Sequence, residues 1–471
     1  IGNTTASAAI VAAFTGESAE CVTGRGTGIS DSRLQKKIGI VRKALALNKP
    51  DPTDGLDVLA KVGGFELGTL AGVIIGCAAN RCAAVIDGLN TTAAALVAYA
   101  ICPLVRDYIF PSHLSGEPAH IIALRHLQLT ACVNMGVRLG EAIGASVVVD
   151  MLSAAVPLLN REVMAAKAKG LTLRSTEAGP KSISLAEAIN AIKPLSQEAM
   201  DRCQLRLDNL TKPLNSLHAF EHLARQLAGI TDNPRPKTIR KTIVLLADKT
   251  AATQIKQLPF NPFAAHVGAD IVLLDTFATG PASQAAATAT QVTRKQVIEA
   301  IEQGIRTAYQ EVERGFNVVG VGEAICADTG PSIAIINHYL AKSRLADDQI
   351  YRTQDENNDP LALLANVDSL AIAGMVGVII GAAAAGAAVV LDGLPAVAAA
   401  LIAVNLAPGV KDYLIGSHFG TEPALRTGYE LLGVGAYLEL DLAANAGVGA
   451  ALGMSLLTAS LHMLNDMKTF G

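Results

Sequence analysis

Two short stretches of this chain carry residue types suited to chemistry. The first is VTGRGTGISD (22–31). Gly24, Gly26 and Gly28 free the backbone to approach an anion, Arg25 adds a positive charge and Thr27 a hydroxyl. Such a loop predicts a phosphate cradle, although the same residues also make an ordinary tight turn. It has neither the GKS or GKT of a P-loop nor a dinucleotide fingerprint. The second is MGVRLGEAIGA (135–145), which places Glu141 among small residues on or beside a helix. A carboxylate in apolar surroundings is costly unless paired, and its proton affinity rises, which suits a general base. A surface glutamate would read the same way. Weaker signals are Glu66, just before an apolar helix in VGGFELG (62–68), and Asp87, at the end of a strand in VIDGLNTT (85–92). His113, Glu117 and His120 share one loop in PSHLSGEPAH (111–120). Any of these could be a structural cap instead.

The elements that must hold these residues occur twice. Residues 72–99 read GVIIGCAANRCAAVIDGLNTTAAALVAY and residues 377–404 read GVIIGAAAAGAAVVLDGLPAVAAALIAV, a constant offset of 305 residues from Gly72 to Gly377. The offset carries SHLSGEP (112–118) onto SHFGTEP (417–423) and Asn160 onto Asn465. The apolar positions match, whereas Glu66 becomes Ala371, Glu141 becomes Ala446 and GRGTG has no counterpart between 331 and 365. That interval is about twenty residues shorter than in the first copy. Packing is kept where polar, glycine-dependent chemistry is lost. His113, Glu117 and Asp87 persist as His418, Glu422 and Asp392, which leaves a fold role and a binding role both open for them.

At 471 residues the chain is too long for one ordinary core. Hydrophobic residues make up 51%, aromatics 4% and charged residues 17%, with no tryptophan, so the core is built from Ala, Val, Leu and Ile. A formal net charge of −4 without a basic block excludes an extended nucleic-acid surface. The apolar runs 67–80 and 371–404 suggest buried helix, strand and helix rather than a membrane span, because Asp392 interrupts the second. Seven cysteines, an odd number without metal-ligand spacing, suit a reducing cytoplasm.

Short β-rich runs at CAAVID (82–87), KTIVLLAD (241–248), ADIVLLDTF (269–277), FNVVGVGE (316–323) and AAVVLDG (387–393) alternate with Ala-rich helical runs. The pattern predicts a parallel sheet covered on both faces, with ligands beyond the carboxyl ends of its strands. Residues 183–230 predict a small subdomain of two or three helices, 285–315 a polar-faced helix ending at Gly315, and 166–182 a linker. The expected architecture is α/β: duplicated Rossmann-like, three-layer, parallel-sheet units with a small helical subdomain. The expected units are 1–165 and 183–471.

In order, IGNTT (1–5), GRGTG (24–28), VGGFE (62–66), the Asp87–Gly88 pair, Ser112–His113, EPAH (117–120) and RLGEAIGA (138–145) resemble the carboxyl half of the nicotinate-nucleotide–dimethylbenzimidazole phosphoribosyltransferase family. TKPLNSLHAFE (211–221), LLADKT (245–250) and GEAICADTG (322–330) resemble the same family from its amino-terminal part, so the resemblance covers nearly the whole chain. It implies transfer of the phosphoribosyl group of nicotinate mononucleotide to 5,6-dimethylbenzimidazole, giving α-ribazole 5′-phosphate and nicotinate in cobalamin lower-ligand synthesis. It further implies that Glu141 takes the acceptor proton. Gly24, Arg25, Gly26, Thr27 and Gly28, with Gly2 and Asn3, would form the phosphate region, and Glu66, Asp87, Leu89 and His113 would complete the cleft. No cofactor or metal is implied.

The departures are specific. The glutamate of the family's GEMG would lie before Ile1, which suggests a preceding segment. In the second unit that glutamate stands as Glu323, but Lys249, Thr250 and Asp328 replace the family's histidine, glycine and asparagine. The expected arrangement is a truncated first copy and a non-catalytic second copy, forming an internal pseudo-dimer or a homo-oligomer. Complementation of 1–165 by 170–325 is another arrangement. The competing functional reading is an inactive nucleotide-binding or scaffold protein derived from the family.

Overall fold

The computed structural model describes residues 3–26, 28–159, 173–175, 183–247, 260–275, 292–324, 328–347, 359–442 and 446–470. It divides into two compact units. The first comprises Ile1–Leu152, Thr211–Glu221 and Phe470–Gly471, and the second Ser153–Leu210 and His222–Thr469. The division departs from chain order, because residues 211–221 cluster with the first unit rather than with the 183–471 stretch expected to hold them.

The first unit is mostly helical. Its helices are α1 (Asn3–Thr15), α2 (Ala19–Val22), α3 (Asp31–Asn48), α4 (Gly55–Val62), α5 (Phe65–Ala79), α6 (Leu89–Ile101), α7 (Pro118–His126) and α8 (Ile143–Ala155). Its strands β1 (Ala84–Ile86) and β2 (Ile109–Pro111) pair in parallel. Helix α6 forms the centre, packed by α1, α4, α5 and α7. Its Ala93, Ala94, Ala95 and Ala98 are fully buried, and such small side chains let neighbouring helices approach closely. Asp54 caps α4, accepting the amides of Leu56 and Asp57.

The second unit holds the main sheet. Strands β3 (Leu173–Ser175), β4 (Lys241–Leu246), β5 (Ala269–Leu274), β6 (Val318–Glu323), β7 (Ala388–Leu391) and β8 (Leu414–Gly416) are all parallel, in the order β3-β5-β4-β6-β7-β8. Strand β4 is buried at all six positions, so both of its faces are covered, as its apolar run IVLL (243–246) requires. A separate parallel pair is formed by β9 (His418–Gly420) and β10 (Leu438–Leu442). The helices are α9 (Leu185–Ala191), α10 (Gln197–Asp208), α11 (Ala219–Ile230), α12 (Phe260–Val267), α13 (Arg294–Glu313), α14 (Gly330–Asp347), α15 (Pro360–Asn366), α16 (Leu370–Ala384), α17 (Gly393–Leu406), α18 (Pro423–Leu432) and α19 (Val448–Asp466).

The sequence repeat is also a structural repeat. The register of β1 on β2 (Ala84 opposite Ile109, Val85 opposite Phe110 and Ile86 opposite Pro111) returns 305 residues later in β7 and β8. Helices α4, α5, α6 and α7 have their counterparts in α15, α16, α17 and α18.

Several expectations are corrected. Two like three-layer units do not form. The described residues of the first unit contain only the β1–β2 pair, and the six-stranded sheet belongs to the second unit. Leu173–Ser175, within the stretch expected as a linker, pairs with β5 as an edge strand; the rest of 166–182 lies outside the described residues. The helix expected over 285–315 starts at Arg294, where Thr293 and Gln296 form a capping box, and residues 276–291 lie outside the described residues. Residues 183–230, expected to hold two or three helices, hold α9, α10 and α11. Helix α19 has the length and composition to cross a membrane, yet its apolar window is 72% buried within the protein, as in a core helix.

Candidate active site

A cavity of about 630 Å³ opens within the first unit. It lies beyond the carboxyl end of β1, where a parallel strand hands over to a helix. Three helix N-termini line it: Asn3, Thr4 and Thr5 of α1; Leu89, Asn90 and Thr91 of α6; and Glu141 and Ala142 just before α8. Helix N-termini present unpaired amides and the positive end of the macrodipole, so their convergence favours an anionic ligand. The side chains of Arg25, Lys37 and Arg138 add positive charge to the lining.

The glycine-rich loop is braced from within. The Gly26 amide donates to Oε1 of Glu117 at 2.6 Å, and the amides of Gly28 and Ile29 donate to the Arg25 carbonyl at 3.1 Å. Arg25 pairs with Asp31 and donates to the Ile29 carbonyl. The amides of Gly26, Gly28 and Ile29 are therefore engaged within the protein, and the loop is a braced turn at these positions. Gly24 is packed so tightly against Glu117 and Pro118 that a side chain there would collide with both. Oε2 of Glu117 is buried without a hydrogen-bond partner, which makes it costly unless a ligand donor meets it. In the second unit the matching Glu422 is exposed.

Lys37, on α3, has no local sequence pattern that singles it out. Its ammonium donates to Thr4 Oγ1 at 3.0 Å and to the Gly24 carbonyl at 3.1 Å. Burial pushes its pKa down, and the Glu117 carboxylate partly restores it. The signal that could find it is the length difference between the copies. The longer interval of the first copy carries both GRGTG and α3.

Glu141 stands at the cavity opening in a left-handed conformation, φ 68°, followed by Ala142 at φ 61°. It is exposed, so the apolar burial expected from its small neighbours does not form. A strained turn for a non-glycine residue persists only where its surroundings enforce it. Two contacts do so here. The Asp87 carboxylate accepts the Ala145 amide at 3.1 Å, tying the start of α8 to the end of β1. The strip ahead of the turn is held by residues 211–221. Arg138 donates its amide to the Ser216 carbonyl at 2.9 Å, and the Ala219 amide donates to the Met135 carbonyl at 3.3 Å. That segment is itself fixed by a buried Lys212–Glu221 ion pair at 2.9 Å.

Asp87 and His113 form a positioning pair. His113 Nδ1 lies 3.7 Å from the Asp87 carboxylate and 3.1 Å from Ser112 Oγ. Burial lowers the His113 pKa, with Asp87 opposing. The second unit keeps the matching aspartate, serine and histidine. Asp392 accepts the Gly447 and Ala450 amides at 2.7 and 2.9 Å, and His418 Nδ1 lies 2.9 Å from Ser417 Oγ. There burial pushes Asp392 up to about 7 and His418 down to about 4. The aspartate thus ties down the start of the last helix in both copies, with or without a glutamate at the 141 position.

Of the residues expected at the site, Asn3, Arg25, Gly26, Asp87, Leu89, His113 and Glu141 line one cavity. Gly24 is buried behind it, and Gly28, φ 115°, turns the loop outside the lining. Glu66 does not reach it; it is exposed on the first turn of α5, with Leu70 taking the place on the wall. Gly2 and Thr27 lie outside the described residues.

A family described as Phosphoribosyltransferase matches residues 1–169, 192–347 and 339–471, nearly the whole chain. The chain belongs to the nicotinate-nucleotide–dimethylbenzimidazole phosphoribosyltransferase family. The enzyme of that name from Dehalococcoides mccartyi is 54% identical over 155 residues, 33% of this chain and 44% of that protein. Its namesake from Desulforudis audaxviator is 53% identical over 158 residues, 34% of this chain and 45% of that protein. The chain therefore spans under half the length of these relatives in the matched region. The crystal structure of CobT from Thermus thermophilus superposes with a TM-score of 0.50 at 25% identity, over 58% of this chain and 97% of that one.

Proposed function

We propose that the first unit transfers the phosphoribosyl group of nicotinate mononucleotide to 5,6-dimethylbenzimidazole, in the cytoplasm and in the synthesis of the lower ligand of cobalamin. The observation that carries this reading is the meeting, in one cavity, of a cation-flanked glycine loop and a carboxylate on a separate turn. An acceptor nitrogen attacks the anomeric carbon, the bond to the pyridine nitrogen breaks, and nicotinate leaves with that electron pair. The acceptor N–H proton passes to Glu141. Arg25, Lys37 and Arg138, with the N-terminus of α1, hold the donor phosphate, and Glu117 Oε2 accepts a donor hydroxyl. Anchoring both reactants in the cavity supplies proximity, and the base contributes roughly 10²–10⁴-fold.

The second copy is the packing relative. It keeps Asp392 and His418, lacks the loop and carries Ala446 in place of Glu141. Residues 211–221 belong to that copy by sequence and brace the Glu141 turn, the part a neighbouring subunit's segment would play in an internal pseudo-dimer.

The test is product formation by the chain, within its full-length protein, supplied with both substrates. α-Ribazole 5′-phosphate should appear, and Glu141→Gln should lower turnover by about 10²-fold or more with donor binding retained. Calorimetric binding of nicotinate mononucleotide without product would favour the inactive binding protein instead. Full turnover in Glu141→Gln would remove that residue as the base.

A further inference from the structure

The three helix N-termini that line the first unit's cavity differ in the charges beside them. The start of α1 lies against Lys37, whose ammonium donates to Thr4 Oγ1. The start of α8 follows Glu141, an anion of its own. The start of α6 has neither a lysine against it nor a capping carboxylate. Its N-cap is Gly88, its first turn holds no acidic residue, and its first helical bond runs from the Thr92 amide to the Gly88 carbonyl at 3.1 Å. The amides of Leu89, Asn90 and Thr91 donate to no group among the described residues, and all three residues line the cavity.

The Asn90 side chain adds a fourth donor. Ser7, on α1, is fully buried and donates its hydroxyl to Asn90 Oδ1 at 2.9 Å. With Oδ1 turned to the interior, Nδ2 on the other side of the same planar group is left to the cavity, where it has no partner among the described residues. The second copy keeps the helix start and loses the donors. Helix α17 opens Gly393-Leu394-Pro395-Ala396 where α6 opens Gly88-Leu89-Asn90-Thr91. Pro395 has no amide hydrogen and no side-chain donor, and it is buried. The serine survives, since IGNTTAS (1–7) matches CADTGPS (326–332) and Ser332 is 1% exposed. A buried serine is thus kept in both copies, and the asparagine it holds only in the copy with Glu141.

We propose that Asn90 selects the donor. Its Nδ2, with the open amides of the first turn of α6, binds the carboxylate of the nicotinyl ring and disfavours a donor with a carboxamide there. This rests on the phosphoribosyl-transfer reading above. The donor in that reading has two anionic groups. Its phosphate takes the start of α1 with Arg25 and Lys37, and Glu141 repels an anion from the start of α8, so the ring carboxylate is left to α6. A carboxylate is acceptor-only and can meet several donors at once with charge-assisted hydrogen bonds. A carboxamide turns its own N–H groups toward the same donors and leaves some of them unpaired.

The test is calorimetric titration of the whole chain with nicotinate mononucleotide and with nicotinamide mononucleotide. The parent should bind the first about ten-fold or more tightly than the second. Asn90→Asp keeps the Oδ1 that Ser7 needs and places an acid in the first turn of α6, where acids favour a helix, so the variant folds. It should weaken nicotinate mononucleotide by about ten-fold or more and nicotinamide mononucleotide far less, levelling or reversing the preference. Ser7→Ala leaves the asparagine unheld and should lower the preference by about three-fold. Equal losses for the two compounds in Asn90→Asp, or no loss, overturn the proposal and leave the transfer reading standing on its own product assay. Equal binding of the two compounds by the parent does the same. A parent that binds neither compound overturns the transfer reading and this inference with it.

Discussion

Glu141 combines a chemical role with a backbone that its residue type disfavours. Its φ of 68° lies in the left-handed region, which costs an L-residue roughly 1–2 kcal/mol relative to glycine. Glu141→Gly should therefore leave stability unchanged or raise it by up to about 1 kcal/mol in urea titrations, while abolishing turnover. A parallel loss of stability and activity would reduce the residue to a structural part. His120 makes the opposite case, a buried polar group serving structure. Its Nε2 donates to the His113 carbonyl at 2.9 Å, and its Nδ1 lies 3.1 Å from Thr92 Oγ1, which fixes a neutral ring. Burial moves its pKa from 6.5 to about 4. Between those values the unfolded chain binds a proton that the folded chain does not. His120 thus favours the folded state fully above pH 6.5, and this is lost as pH falls toward 4, by about 3 kcal/mol. Melting curves at pH 7 and pH 4.5 should differ less for His120→Gln than for the parent. At this scale the sequence is informative for residue type and poor for environment. The small neighbours of Glu141 predict burial, whereas small residues there serve a tight, exposed turn. Lys37 is invisible in the sequence because only tertiary packing brings α3 against α1 and the loop.

At the scale of elements, periodicity carries more. All five strand runs expected from sequence are strands, because unbroken aliphatic runs between alanine-rich helices have one satisfactory home in a parallel sheet. The edge strand Leu173–Ser175 has no such signal, as three residues beside lysines and glycines carry no usable period. The repeat supplies a paired test of packing. Gly377→Ala would push a methyl into the Ile301 carbonyl and should destabilise the second unit by about 2–3 kcal/mol in chemical denaturation. Gly72→Ala, at the matching position of α5, meets nothing and should stabilise that helix by about 0.5–1 kcal/mol. Equal effects at the two positions would mean that the two faces are in the same state, contrary to their exposures.

At the scale of the molecule, duplication of fold is not duplication of site. Both copies keep the aspartate and the helix it anchors. Only the first adds Arg25, Gly26 and Lys37, all within or beside the segment missing from the second, and only the first carries a carboxylate at the 141 position. Among the described residues, these cations meet in the first unit's cavity. Calorimetric titration with nicotinate mononucleotide should return one site per chain. Lys37→Met should weaken that site by about ten-fold or more, the loss of one partly buried charge-assisted contact to phosphate. The acceptor-side variant Glu141→Gln should leave both the stoichiometry and the donor affinity in place. Two equivalent sites would mean that the second copy binds the donor without the loop. The anchoring role would then pass to the elements the copies share, namely the N-termini of α6 and α17 beside Asp87 and Asp392.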